Sequence, residues 1–351
     1  MKMSDCVEQP ARTAGGALKK NLLFAAKILL AAGIIWWLIA ANREKFLENL
    51  QLFNYYWLIP AGLAYASHMV VSAWRWYELA KVIRVRLSFP EALSLTMQAY
   101  FYSLVIPGGA IGGDVARVAA LTLRSPKGAK AEGAFTVLMD RIIGMVALFV
   151  LAIVICLATL PMLMRVNLPI PDYTTTDGVR ILLIVGLLAL CLAGLAAMLV
   201  LFFHRPLSRI RPVGHLMQWG DAHTDGMVSR MTAALDLYRR RWKLLMGLTV
   251  VSIFFIHIMT VVAVGFIICG LGLFHFDYLA VLSAVTIGNI AGLIPLTMSG
   301  IGLRDVTICE LLNAGGVEQG VVIPVMYTFL ILIFNIFGGL FFIFDPGART
   351  R

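Results

Sequence analysis

The chain has 351 residues, of which 60% are hydrophobic and 14% charged, and its mean hydropathy is +0.87. A soluble domain carries roughly 25% charged residues, so this composition belongs to an integral membrane protein. The net charge of +10 and pI near 9.6 would suit a nucleic-acid partner, but the Lys and Arg collect at the ends of apolar runs, where they orient helices, and no nucleic acid is expected.

In chain order, a tail at 1–20 precedes the first apolar run, Leu22 to Ala41. That run is long enough to span a bilayer and is not followed by a clear small-residue cleavage pattern, so it reads as a span and not as a signal peptide. Stretches of about 20 apolar residues predict six spans at 22–41, 55–73, 133–160, 181–203, 244–269 and 321–344. Two further pairs of apolar segments are too short. At 1.5 Å per residue, Ala92 to Ile106 reaches about 22 Å and Gly113 to Leu123 about 16 Å, against a hydrocarbon core of roughly 30 Å. Tyr278 to Ile294 reaches about 25 Å and Leu303 to Asn313 about 16 Å. Each pair is expected to form a re-entrant helical hairpin, the first over 92–123 and the second over 278–313. Between them, the link at 204–243 carries a loose helical stripe of Leu216, Met227, Met231, Leu235 and Tyr238 among Arg and Asp, the pattern of a cytoplasmic interfacial helix. A short tail closes the chain at 346–351.

Orientation follows from Lys and Arg. Arg12, Lys19 and Lys20, then Arg75, Lys81, Arg84 and Arg86, then Arg124, Lys127 and Lys130, and finally the many arginines of 204–243 mark cytoplasmic segments, whereas 270–277 and 314–320 contain neither Lys nor Arg. A multi-pass protein of the inner (plasma) membrane with both termini cytoplasmic is expected. The two hairpins then enter from opposite faces, and the order span, span, hairpin, span occurs twice, over 21–160 and 161–345. The spacing agrees. From the start of span two to Pro107 is 52 residues (107 minus 55), and from the start of span five to Pro295 is 51 (295 minus 244). Each proline precedes the next span by 26 residues (133 minus 107; 321 minus 295). The predicted fold is therefore all-α, six transmembrane helices plus two opposed re-entrant hairpins in an inverted-topology repeat, with the binding site at the paired interruptions.

Those interruptions are Pro107, Gly108 and Gly109 with Gly112, Gly113, Asp114 and Arg117 in the first half, and Pro295, Ser299, Gly300, Gly302, Arg304 and Asp305 in the second. A helix starting near Gly112 or Gly113 leaves amides unpaired and a positive dipole end inside the membrane, a site for phosphate. Asp114 would stand in its first turn with Arg117 at i+3. The alternative is that Asp114 caps the helix and pairs with Arg117 while the glycines permit close packing. Arg304 offers a planar fork for phosphate oxygens, or else clamps Asp305, Glu310 or Asp140. Asp140 and Arg141, near the start of span three, read either as a second charged wall of the same cavity or as a surface anchor. Gln98, Tyr100, Tyr102 and Ser103 line a headgroup path or pack through hydroxyls. Lys27 lies within snorkelling reach of a membrane end. His68 and His257 read as polar contacts between helices, with proton relay the lesser alternative.

Gly113-Asp114-Val-Ala-Arg117, Asp140-Arg141-Ile-Ile-Gly144 and Ser299-Gly-Ile-Gly-Leu-Arg304-Asp305, in this order, resemble the lysylphosphatidylglycerol synthase transmembrane family, which includes the flippase half of the multiple peptide resistance factor proteins. The resemblance covers about 20–345. The family usually has Glu where this chain has Asp305, and the carboxylate role is expected to survive the loss of one methylene. With no soluble aminoacyltransferase domain after residue 345, the resemblance implies a stand-alone member that translocates an anionic lipid or lipid-linked phosphate, with a lipid-modifying enzyme as a possible partner. An integral-membrane enzyme or a scaffold for lipid or polyprenyl-phosphate modification is the alternative, against which no catalytic constellation is found. Cys156, Cys191, Cys269 and Cys309 show neither metal-ligand nor disulfide spacing, no nucleotide motif is present, and no metal or cofactor is expected.

Overall fold

The computed structural model of the protein describes residues 43–83, 85, 87–106, 110–124, 130–167, 175–202, 227–294, 300–317 and 321–342, with isolated positions between 29 and 40. All regular structure among the described residues is helical. In chain order the helices are α1 (Arg43–Leu52), α2 (Leu58–Val82), α3 (Phe89–Val105), α4 (Ala110–Arg124), α5 (Lys130–Ala158), α6 (Asp177–Phe202), α7 (Met227–Arg240), α8 (Trp242–Gly270), α9 (Tyr278–Ala291), α10 (Leu303–Ala314) and α11 (Val322–Phe337, continued as a 3-10 turn to Phe342). Four of them, within α5, α6, α8 and α11, are long and apolar enough to cross a membrane. The expected first span, 22–41, falls almost wholly outside the described residues, as do Lys27, Pro107, Gly108, Gly109, Pro295 and Ser299.

The expected second span, 55–73, is part of a longer element. Helix α2 runs nine residues further, to Val82, because no Gly or Pro interrupts the sequence between Gly62 and Pro90. His68, Arg75, Glu78 and Lys81 lie on it, so it is long enough to span but less apolar than the other four. Helix α3 starts at a capping box. The Ser88 N–H and hydroxyl both donate to Glu91 Oε2, at 2.8 and 2.6 Å, and Pro90 occupies the first turn, where a missing N–H costs nothing. Asp277 caps α9 by accepting from Leu279 N–H at 2.8 Å.

The packing repeats between the two halves. Helix α3 lies against α4, and α9 against α10. The two helices of each pair run antiparallel, since Gly112 and Gly113 meet Ile106 and Ala99, and Gly300, Ile308 and Gly315 meet Gly292, Gly288 and Ala280. Each hairpin then packs on the other half's long helix, α3 against α11 and α9 against α5, while α2 and α8 pair at the centre. A Cβ on Gly113 would stand 2.3 Å from the Ala99 carbonyl oxygen, so this crossing needs glycine. Gly300 has a positive φ of 74° and its Cβ would stand 2.6 Å from Gly292, so both backbone and space require glycine there.

The link helix differs from expectation in its surroundings. On α7, Leu235 and Tyr238 are buried against α2 and α5, with the Tyr238 hydroxyl donating to Leu79 O at 2.9 Å. The apolar stripe of the described part of the link therefore docks on protein.

Candidate functional site

Three groups of charged side chains sit where the hairpins meet the long helices. In the first, the Asp140 carboxylate on α5 holds two arginines. Arg75 Nε of α2 donates to Oδ1 at 2.7 Å, and Arg117 Nη1 of α4 donates to Oδ2 at 3.2 Å. All three are almost fully buried, at 5%, 4% and 3% exposure for Arg75, Arg117 and Asp140. Arg75 Nη1 also donates to Ser252 Oγ at 3.0 Å, and Gly144 leaves it room, since a Cβ there would stand 3.1 Å from Nη1. Arg117 Nη2 donates to Thr96 Oγ1 at 3.1 Å, and its guanidinium lies 4.4 Å from the Trp76 ring centre. Trp76 is fixed in turn by donating from Nε1 to Thr136 Oγ1 at 3.0 Å.

The second group opens α10. Gly302, at φ 93°, turns its N–H onto Asp305 Oδ2 at 2.7 Å. The other carboxylate oxygen accepts from Thr328 Oγ1 of α11 at 2.6 Å and from Arg304 Nη2 at 3.4 Å, and Arg304 Nη2 also donates to Thr328 Oγ1. Arg304 is 6% exposed and Asp305 fully buried, and the guanidinium lies 5.1 Å from the Tyr327 ring centre. The spacing of the two halves recurs here. Thr328 follows Asp140 by the 188 residues that separate Pro295 from Pro107 (328 minus 140; 295 minus 107), and both side chains receive an arginine from the neighbouring hairpin.

The third group is the pair Asp114 and Arg141. Arg141 Nε and Nη2 donate to the two Asp114 oxygens at 2.5 and 2.8 Å, a bidentate fork. Successive residues on a helix point about 100° apart, so Asp140 faces the interior while the Arg141 side chain stays 44% exposed. The pair edges a cleft of about 410 Å³ between α4 and α5, whose other walls are apolar, among them Ile111, Val115, Val118 and Leu138.

Between the first two groups stand aromatic rings. Tyr65 lies 5.1 Å from His68 and 6.4 Å from Tyr327, and His68 lies 6.3 Å from Tyr100, measured between ring centres. Of the charged residues named in the sequence, Arg304 meets Asp305, one of the partners weighed for it, whereas Arg117 and Arg141 find partners that spacing did not give. Arg117 bonds Asp140 and not its i−3 neighbour Asp114. Helix α4 begins at Ala110, so Asp114 stands in the second turn, and Gly112 and Gly113 lie inside the helix against Ile106 and Ala99. Helix α5 likewise begins at Lys130, ahead of the expected Gly133. Gln98 ties α3 to the C-terminal turn, donating to Ser94 Oγ at 3.1 Å and Phe341 O at 3.2 Å.

Arg75 was expected only as an orienting charge at the end of a span. It is buried, and it is the main addition to the site together with Thr96, Ser252 and Thr328. Its signal in the sequence was an arginine between Trp74 and Trp76 with no helix breaker after it.

The family model for the lysylphosphatidylglycerol synthase TM region matches residues 24–340. The chain belongs to that family. A UPF0104 membrane protein of Pyrococcus horikoshii is 23% identical over 310 residues, covering 88% of this chain and 91% of the relative. This member of the family is thus a multi-pass membrane protein that matches the transmembrane region nearly end to end.

Proposed function

We propose that this protein moves an anionic lipid or lipid-linked phosphate between the leaflets of the membrane, the phosphate being held by the arginines at the two hairpins while the tails remain in lipid. The observation that carries the reading is a buried excess of positive charge among the described residues. Arg75, Arg117 and Arg304 share two carboxylates, Asp140 and Asp305, and Nε of both Arg117 and Arg304 is buried without a hydrogen-bond partner. An unneutralised guanidinium away from water is costly, and a phosphate oxygen supplies both the missing charge and the missing acceptor. The cleft edged by Asp114 and Arg141 offers apolar walls along which a lipid tail can lie.

The matching hairpin-to-long-helix contacts of the two halves support alternating access by rocking one repeat against the other, with the hairpins entering the membrane from opposite faces. The test is leaflet exchange in vesicles of phosphatidylethanolamine and phosphatidylglycerol, using fluorescent phosphatidylglycerol and fluorescent phosphatidylcholine as probes. Exchange of the anionic probe well above that of the zwitterionic one is expected. Equal exchange of both, or formation of a new lipid product, would replace this reading by a scramblase or an enzyme.

A further inference from the structure

Two histidines take no part in the ion pairs, yet they occupy equivalent places in the two halves. His257 follows His68 by 189 residues (257 minus 68), the interval between the expected starts of spans two and five (244 minus 55). His68 is on α2 and His257 on α8, the two helices that pair at the centre of the molecule, and each lies within electrostatic reach of Arg75, as the rings do of each other. His68 Nδ1 is buried with no hydrogen-bond partner. His257 Nε2 lies 3.2 Å from Gly144 O; a carbonyl only accepts, so this nitrogen carries the hydrogen and Nδ1 holds the lone pair. The segment Ser252–His257 is π-helical. Such turns are rare and recur at functional sites, and this one presents Ser252 to Arg75 at one end and His257 at the other.

We propose that His68 and His257 form a proton-binding pair on the central helices, and that proton uptake there is coupled to binding of the phosphate headgroup. The inference rests on the anion-transport reading above. The charged and titratable groups around the pair are Tyr65 and Arg75 on α2, Tyr100 on α3, Asp140 on α5 behind Arg75, and, beyond Tyr65, Tyr327 on α11 with Arg304 of α10 over its ring. Three buried arginines against two carboxylates make a further positive charge unfavourable while the site is empty. A bound phosphate cancels that excess, and by linkage a proton on the pair strengthens phosphate binding by the same factor. His68, whose buried Nδ1 has no partner, takes the proton from water on the loading side. When the phosphate departs on the other side, the proton returns to water there. A monoanionic headgroup and one proton then cross together with no net charge.

The experiment uses the full chain in vesicles of phosphatidylethanolamine and phosphatidylglycerol that enclose a pH-sensitive dye, with fluorescent phosphatidylglycerol as probe. Exchange is expected to quicken about tenfold as the pH is lowered from the ordinary imidazole range, about 6.5, to the acid side, with a lumenal pH change that accompanies transport. His68→Gln, and separately His257→Gln, should flatten the pH profile and abolish the lumenal signal while the detergent melting temperature holds. Exchange in the wild type with no pH response, or a response retained in both variants, overturns the proposal and leaves the transport reading intact. Absence of exchange by the wild type counts against transport alone. The proton pair is then decided by nitrogen-15 histidine NMR in lipid nanodiscs. Dodecyl phosphate added at constant pH should convert a resonance missing in His68→Gln to its protonated form, and an unchanged resonance overturns the pair.

Discussion

Asp140 is the residue on which most of the buried charge depends, because it alone neutralises both Arg75 and Arg117. Removing one member of a buried ion pair costs about 3–5 kcal/mol through the charge left behind. Asp140→Ala strands two guanidiniums, whereas Arg75→Met leaves Asp140 paired with Arg117. Detergent melting should therefore fall more for Asp140→Ala than for Arg75→Met, and an equal or smaller loss would show that the shared carboxylate is not what holds the arginines. Asp140, Arg117, Arg304 and Asp305 were all legible in the sequence as charges inside apolar surroundings. Asp305 was legible too as a partner of Arg304, its neighbour in sequence; the partners of Asp140 were not, because α5 supplies a carboxylate to α2 and α4 at once, and such a pairing depends on helix contacts between residues 65 and 23 positions apart. Arg75 was hidden for a related reason. A flanking pair of tryptophans is the pattern of a membrane interface, and only the continuation of α2 to Val82 places the arginine among other helices.

Hairpin geometry rests on small residues at the crossings. Gly113→Ala drives a Cβ to 2.3 Å from the Ala99 carbonyl oxygen, and this overpacking should cost about 1–3 kcal/mol and separate α3 from α4, which carries Arg117. Gly247→Ala is the control. That glycine sits in α8 with nothing within 4 Å of its added methyl, so the change should be neutral or raise stability by about 0.5–1 kcal/mol from helix propensity. Melting curves of the two variants check the contrast, and equal behaviour would mean that the crossing tolerates a wider gap. Existence of the short helices was legible from their length and their Gly/Pro limits, because those signals act locally. The starts of α9 and α10, Tyr278 and Leu303, were legible as they stand, whereas α3 and α4 begin at Phe89 and Ala110, ahead of the expected Ala92 and Gly113. Ala110 begins α4 two residues before the first of the paired glycines, which shifts Asp114 from the first turn to the second and frees it to reach Arg141 on α5.

The arrangement of the whole molecule was legible as far as the repeat of spacing went, and the packing of α3 on α11 and of α9 on α5 went beyond it. Those contacts join residues more than 200 positions apart in the first case, and no local pattern encodes them. An inverted repeat in the membrane makes a direct prediction for sidedness. Cysteines replacing the exposed Lys81 and Lys243 should react with an impermeant thiol reagent from the cytoplasmic face only, and those replacing Gly178 and Asn313 from the outer face only. Labelling of Lys81→Cys and Asn313→Cys from one face would mean that the hairpins do not oppose each other.

The role of Arg304 in binding phosphate is tested most directly by leaflet exchange of fluorescent phosphatidylglycerol, measured with detergent melting for Arg304→Ala alone and for Arg304→Ala with Asp305→Asn. The single change should abolish exchange and lower stability, because Asp305 is left buried with only the Gly302 N–H and Thr328 as partners. The double change removes that uncompensated charge. Stability recovered without exchange is the expected result. Exchange recovered in the double variant would show that Arg304 is a clamp for Asp305 and does not hold the substrate.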